Sequence, residues 1–160
     1  MHYALPGGGG FDEATPLLCI PGTPGTGRVF LPLLAPLGRD RSVYAPDLPG
    51  SGESDPPTGP AGNTEIAQAL CDFLDSMRLR SIDLLAHDEG VAIALALLHL
   101  RPNHVGRLVL SPATEAVQAE ARALRQPTLV IDWAPVDVSQ RQSDDFERQA
   151  VQLRDFLGLP

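Results

Sequence analysis

The sequence predicts an α/β domain, with one parallel sheet of about five strands held between helices in a three-layer αβα arrangement. Three observations predict it. Short, continuous apolar runs recur along the 160 residues, each suited to a strand buried on both faces. Segments with apolar residues at helical spacing lie between those runs. The connections are long enough for the right-handed crossovers that parallel pairing requires.

Met1 to Ala14, which contains four glycines in a row, reads as a loosely held tail of a single domain spanning residues 1–160. Pro16 to Ile20 (PLLCI) is the first strand, followed by the loop PGTPGTG from Pro21 to Gly27. Arg28 to Leu37 is apolar and helix-like, but Pro32 and Pro36 restrict it to a short or irregular helix. Ser42 to Ala45 (SVYA) is the second strand and runs into the turn PDLPGSGES. Asn63 suits the cap of a helix whose face is Ile66, Leu70, Phe73, Leu74 and Met77.

Ser81 to Ala86 (SIDLLA) is the third strand, and a helix from about Glu89 to Leu100 follows it. That helix is apolar nearly all round, so it is expected to be central and buried. Pro102 stops it, and Arg107 to Leu110 is the fourth strand. Thr114 to Arg125 is Ala-rich and helical, and Thr128 to Ile131 (TLVI) is the fifth strand. The last helix starts near Asp144, with Glu147 as a capping-box partner and Phe146, Ala150, Leu153 and Leu157 as its apolar face.

Composition excludes several classes. The net charge is −8, and the 12 basic residues are all Arg, spread along the chain. Nucleic acid and anionic membrane surfaces need a concentrated positive field, so neither is an expected partner. Val91 to Leu98 is the longest apolar run and falls far short of the ~20 residues that span a bilayer. Met1 to Gly10 lacks the charged and apolar regions of a signal peptide. Cys19 and Cys71 read as small buried hydrophobes, and no Cys/His cluster offers a metal site. The expectation is a cytoplasmic protein with no metal and no cofactor.

Ligands of parallel α/β sheets bind beyond the C-terminal ends of the strands, where the strand order reverses. Two unusual loops sit at such ends: PGTPGTG after the first strand and His87-Asp88-Glu89-Gly90 after the third. Asp88 on its own is a favourable N-cap, with Glu89 complementing the helix dipole. The Gly/Pro loop on its own is a tight turn, or a cradle for phosphate at a helix N-terminus. It lacks the G-x-x-x-x-G-K-[ST] and G-x-G-x-x-G patterns. Asp47 reads as a turn former, and Trp133 as packing near the end of the sheet.

Taken together, PLLCIPGTPGTG, VYAPDLPGSGESD and SIDLLAHDEGVAIALALLHLRPNHVGRLVL resemble the α/β-hydrolase fold from about Pro16 to Ala113. A weaker likeness resumes at QPTLVIDWAPVD and in the last helix. The segment AHDEG resembles the nucleophile elbow G-x-S-x-G, with Asp88 at the nucleophile position and Ala86 in place of the first Gly. An Asp there, preceded by His, resembles the epoxide hydrolase and haloalkane dehalogenase branch. The resemblance implies attack of the carboxylate on carbon and a covalent ester intermediate. It also implies oxyanion donors at the Thr23 and Glu89 amides beside Gly22, and an acid at Asp137. His87 is grouped with Gly22, Thr23 and Glu89 around the substrate, its ring expected to point away across the elbow.

The chain departs from that pattern in several places. No histidine follows His104, and His99 and His104 read as structural. Glu89 stands where Trp is usual, and its carboxylate would repel a developing anion. One helix occupies the place of a cap domain. The resemblance therefore implies a minimal α/β-hydrolase core with strand order 2-1-3-4-5 and SVYA and TLVI as edges. An uncovered apolar edge such as TLVI favours pairing with a second copy as a homodimer. Two functions follow as expectations. One is a hydrolase using Asp88 on a small apolar epoxide, halide or ester. The alternative is a catalytically degenerate member acting as a ligand-binding or interaction module.

Overall fold

A computed structural model describes residues 14–22, 26–39, 41–59, 61–133 and 144–158. The elements in order are β1 (Leu17–Ile20), a 3-10 turn (Gly27–Phe30), α1 (Leu31–Leu37), β2 (Val43–Tyr44) and α2 (Asn63–Ser76). They continue with β3 (Ile82–His87), α3 (Gly90–Leu100), β4 (Val105–Ser111), α4 (Glu115–Ala123), β5 (Thr128–Val130) and α5 (Asp144–Phe156). The strands form one sheet in the order β2-β1-β3-β4-β5. Every pairing is parallel, as the apolar runs required.

Side chains alternate across the sheet and build a core on each face. Leu18, Ile20, Leu84, Ala86, Leu108 and Leu110 face α2 and α3, whose Ile66, Leu70, Leu74, Ile93 and Leu97 cover them. Leu17, Cys19, Leu85 and Val109 face the other way, toward Leu33 and Leu37 of α1 and Phe146 and Leu153 of α5. Burying a side chain of this size contributes roughly 1.5–3 kcal/mol.

Three local expectations are corrected. Asn63 does not cap α2. Gly62 holds the extended N-cap position without a side-chain bond, and Asn63 is already helical. Met77, counted on the apolar face of α2, follows the helix as its C-cap and is 43% exposed. The helix ends instead in a Schellman turn, with Leu79 N–H donating to Leu74 and Arg78 N–H to Asp75. Helix α3 is not buried all round, since Ala92, His99 and Leu100 are exposed. It belongs to an outer layer, so α2 and the sheet cover only part of its circumference.

A buried ionic cluster fastens the N-terminal ends of the strands to α5. Arg41 donates to Asp83 Oδ2 at 3.0 Å and to the Leu157 carbonyl at 2.9 Å. The Arg107 amide donates to Asp83 Oδ1 at 2.9 Å. Arg154 donates to the Pro36 carbonyl and ties α5 to α1. No helix among the described residues is long and apolar enough to cross a membrane.

Candidate active site

The strand order reverses between β1 and β3, and the two sequence-marked loops leave the sheet side by side there. His87 ends β3, and Asp88 follows with φ of +50°. A left-handed conformation costs most L-residues energy, and Asp is among the few that tolerate it. Neighbouring backbone holds Asp88 there. Its N–H donates to the Ser111 carbonyl at 2.9 Å, and its own carbonyl accepts from Val91 N–H at 3.0 Å. Gly90 completes the corner. A Cβ at Gly90 would collide with the carbonyl oxygens of Ile20 and Pro21, so only glycine lets α3 start this close to β1.

The corner turns the Asp88 side chain outward. It is 55% exposed, whereas that of His87 is 10% exposed. The N-cap reading of Asp88 is overturned, because Glu89 is the residue capping α3 and no side chain bonds the helix amides there. The orientation expected for His87 is overturned as well. Its Nε2 lies 3.0 Å from Asp88 Oδ2 rather than pointing away. The reason is the positive φ of Asp88, which swings the carboxylate back over the preceding residue.

Aromatic packing locks the His87 ring. Trp133 meets it edge-on with centroids 5.0 Å apart, and Phe30 stacks on Trp133 at 5.3 Å. Ser111 Oγ donates to the Trp133 carbonyl at 2.9 Å and accepts from its N–H at 3.1 Å. These two hydrogen bonds commit the Ser111 hydroxyl proton to backbone, and the residue is completely buried. Trp133 therefore packs at the sheet end, as its sequence position suggested. Burial pushes the His87 imidazole below its ordinary pKa, and the carboxylates of Asp88 and Glu89 only partly oppose that. His87 Nδ1 and Trp133 Nε1 are buried and have no hydrogen-bond partner among the described residues.

Gly22 lies directly under this corner. A Cβ on it would stand 2.9 Å from Asp88 Cβ and 2.5 Å from Glu89 Oε2. The Glu89 carboxylate thus leans over the loop that follows β1. Asp47 does more than shape its own turn. It accepts from Glu53 N–H at 3.2 Å and from Gly27 N–H at 3.0 Å, which joins that turn to the far end of the β1 loop. Burial raises the Asp47 pKa, these amides are among the groups that lower it, and the carboxyl is held below its ordinary range. Thr23 and Asp137 lie outside the described residues.

The structure thus brings together Gly22, His87, Asp88 and Glu89. It keeps His99 and His104 at the opposite end of the sheet. His104 borders a surface hollow there of about 330 Å³, shared with Leu74, Asp75, Arg78, Leu79 and Arg80. Among the described residues no cluster of His, Cys, Asp and Glu could hold a metal ion.

Residues 15–153 match the family model described as alpha/beta hydrolase fold. The chain belongs to this family. As an α/β-hydrolase-fold protein it shares 34% identity over 100 residues with a 2-hydroxymuconate semialdehyde hydrolase of Pseudomonas sp. (strain CF600), covering 58% of this chain and 34% of the relative. It shares 37% identity over 78 residues with a haloalkane dehalogenase of Mesorhizobium japonicum, covering 49% of this chain and 24% of the relative. The chain therefore matches only about a quarter to a third of the length of these curated relatives. Among solved structures, the haloalkane dehalogenase DbeA from Bradyrhizobium elkani is similar at TM-score 0.57 and 27% identity, covering 64% of this chain and 35% of that one. The epoxide hydrolase CorEH superposes at TM-score 0.60 over 76% of this chain and 49% of that one, and at 18% identity it bears on the fold alone.

Proposed function

We propose that this α/β-hydrolase-fold chain acts as a hydrolase in which Asp88 attacks a small apolar epoxide, alkyl halide or ester. The observation that carries the reading is the backbone of Asp88. A non-glycine residue is held at φ +50° on a strand-to-helix corner with its carboxylate turned outward. Such strain persists where surrounding structure enforces it, and it concentrates at functional sites. The likeness to a haloalkane dehalogenase favours carbon as the electrophile. In this reading the Glu89 amide, next to Gly22, is one oxyanion donor and Thr23 supplies another. Asp137 is a carboxylate base or a vestige of one. No cofactor takes part, and the setting is cytoplasmic.

One observation favours a second reading. The Glu89 carboxylate leans over Gly22, where a developing anion would be repelled. On that basis the chain is a degenerate member that binds a small ligand or a second copy of itself. Edge strand β5, whose residues are half-buried, is the surface for such a homodimer. Incubation with a panel of small epoxides and alkyl halides, followed by intact mass and peptide mapping, separates the two readings. Turnover that Asp88→Ala abolishes, or an ester on Asp88, supports the hydrolase. Absence of both across the panel leaves the binding module.

A further inference from the structure

We infer that the hollow at the N-terminal end of the sheet is a binding site for a small organic dianion of the phosphate monoester class. It lies at the other end of β3 from Asp88 and does not depend on the chemistry proposed there.

The hollow has a volume of about 330 Å³ and is lined by Leu74, Asp75, Arg78, Leu79, Arg80 and His104. That volume suits a small ligand. Its wall is made by two turns, one leaving α2 and one leading from α3 into β4. Backbone hydrogen bonds fix both. Arg78 N–H donates to the Asp75 carbonyl and Leu79 N–H to the Leu74 carbonyl. His104 N–H donates to the Arg101 carbonyl, and the His104 carbonyl accepts from Ile82 N–H at 2.8 Å, which joins the two turns. The lining is therefore set by main chain before a ligand arrives, and that lowers the ordering cost of binding. The last carbonyls of α2 would repel an anion if left bare. Those of Phe73, Leu74 and Asp75 are instead taken up by the amides of Met77, Leu79 and Arg78.

The charge at the hollow points to the ligand. Its lining holds two guanidinium groups and one carboxylate. The carboxylate, Asp75, is already engaged by Arg101 at 2.8 Å, and Arg101 is not part of the lining. The side chains of Arg78 and Arg80 have no hydrogen bond or ion pair among the described residues. Two cations thus share one hollow unbalanced, in a chain whose net charge is −8. An anion with two charges neutralises both, and the planar fork of each Arg matches phosphate oxygens. His104 offers a ring nitrogen as a further donor. Half-buried Leu79 supplies an apolar wall for an organic group. Two arginines in a hollow of this size suit a small molecule, whereas a polyanionic polymer needs an extended basic surface.

Calorimetric titration of the whole chain with phenyl phosphate, at fixed ionic strength, tests the site. Saturable binding of one equivalent is expected, with a dissociation constant of about 1 mM or below. Arg78→Gly removes one guanidinium at a left-handed position that suits glycine, so the fold is kept. Arg80→Gln removes the other. Each should weaken binding about tenfold or more, the worth of one charge-assisted hydrogen bond. Arg122→Gln, exposed on α4, should leave binding unchanged. Benzoate, with a single charge, and inorganic phosphate, with no apolar group, should each bind several times more weakly. Titration without saturation, or a loss shared equally by Arg122→Gln, would overturn the site in favour of general charge attraction. Unchanged binding in Arg78→Gly and Arg80→Gln would put the anion elsewhere and end the proposal. Benzoate binding as tightly as phenyl phosphate would refute the dianion, and inorganic phosphate doing so would refute an organic ligand.

Discussion

The backbone N–H of Asp88 donates to the carbonyl of Ser111 at 2.9 Å, so the strained corner is anchored by the neighbouring strand rather than by the helix it introduces. The register of β3 and β4 makes this bond available, because His87 pairs with Ser111 at the last position of the ladder.

Asp88→Gly should raise stability, since glycine adopts φ of +50° freely. The gain is under ~1 kcal/mol, because Asp tolerates the left-handed region better than most residues and glycine adds entropy to the unfolded chain. Arg78→Gly at φ +57° should gain a similar amount, with no effect at the elbow. Urea midpoints would measure both. A loss of stability in Asp88→Gly would show that the His87 contact outweighs the strain.

Gly90→Ala should destabilise by roughly 1–3 kcal/mol, the usual cost of overpacking. The clash is with the carbonyls of Ile20 and Pro21, and backbone cannot rotate aside. Thermal unfolding would test it, and an unchanged midpoint would contradict the close approach of α3 to β1.

Glu89→Gln removes the carboxylate leaning over Gly22 and leaves the backbone amide in place. If Asp88 is a nucleophile, ester formation should accelerate severalfold. Rates from mass spectrometry that are unchanged would place the reacting oxygen away from Glu89.

Asp83→Ala should cost about 3–5 kcal/mol, because it strands a buried cation. Asp83 and Arg41 are each 1% exposed in their side chains. Asp75→Ala breaks the pair with Arg101, whose partners are 56% and 33% exposed, and should cost under ~1 kcal/mol. Denaturant titration of the two variants checks the contrast.

Stability should fall in two acid windows. The folded pKa of His87 lies below its ordinary 6.5, because burial outweighs the pull of Asp88 and Glu89. Its contribution is present above 6.5 and is lost as pH drops through the lowered folded value. Asp47 lies below its ordinary 3.8: burial raises it, and the Glu53 and Gly27 amides are among the groups that lower it. Its contribution is present above 3.8 and is lost as pH falls through its own folded value. His87→Gln should flatten the first window only, and Asp47→Asn the second only, in melting curves across pH.

The strands were legible because each is a short, mostly apolar run set between segments of turn or helical character. LLCI, IDLLA and RLVL fall within β1, β3 and β4. The corner at Asp88 was legible from its resemblance to an elbow, and Gly90 supplies the physical reason that glycine is present. The ionic cluster of Arg41, Asp83 and Arg107 was not legible. Asp83 sits within an apolar strand, and nothing local shows that an arginine 42 positions earlier reaches it.

The sequence by itself determined the layered parallel architecture, the helices that cover each face, and the place in the chain where the two marked loops occur. These depend on hydrophobic periodicity, which acts over a few residues and survives any detail of packing. Only the tertiary structure decided that His87 turns toward Asp88, that Glu89 leans over Gly22 and that Ser111 anchors the corner. Such pairings depend on distances of about 3 Å between polar atoms on separate strands, and those distances are set by the packing of every element at once.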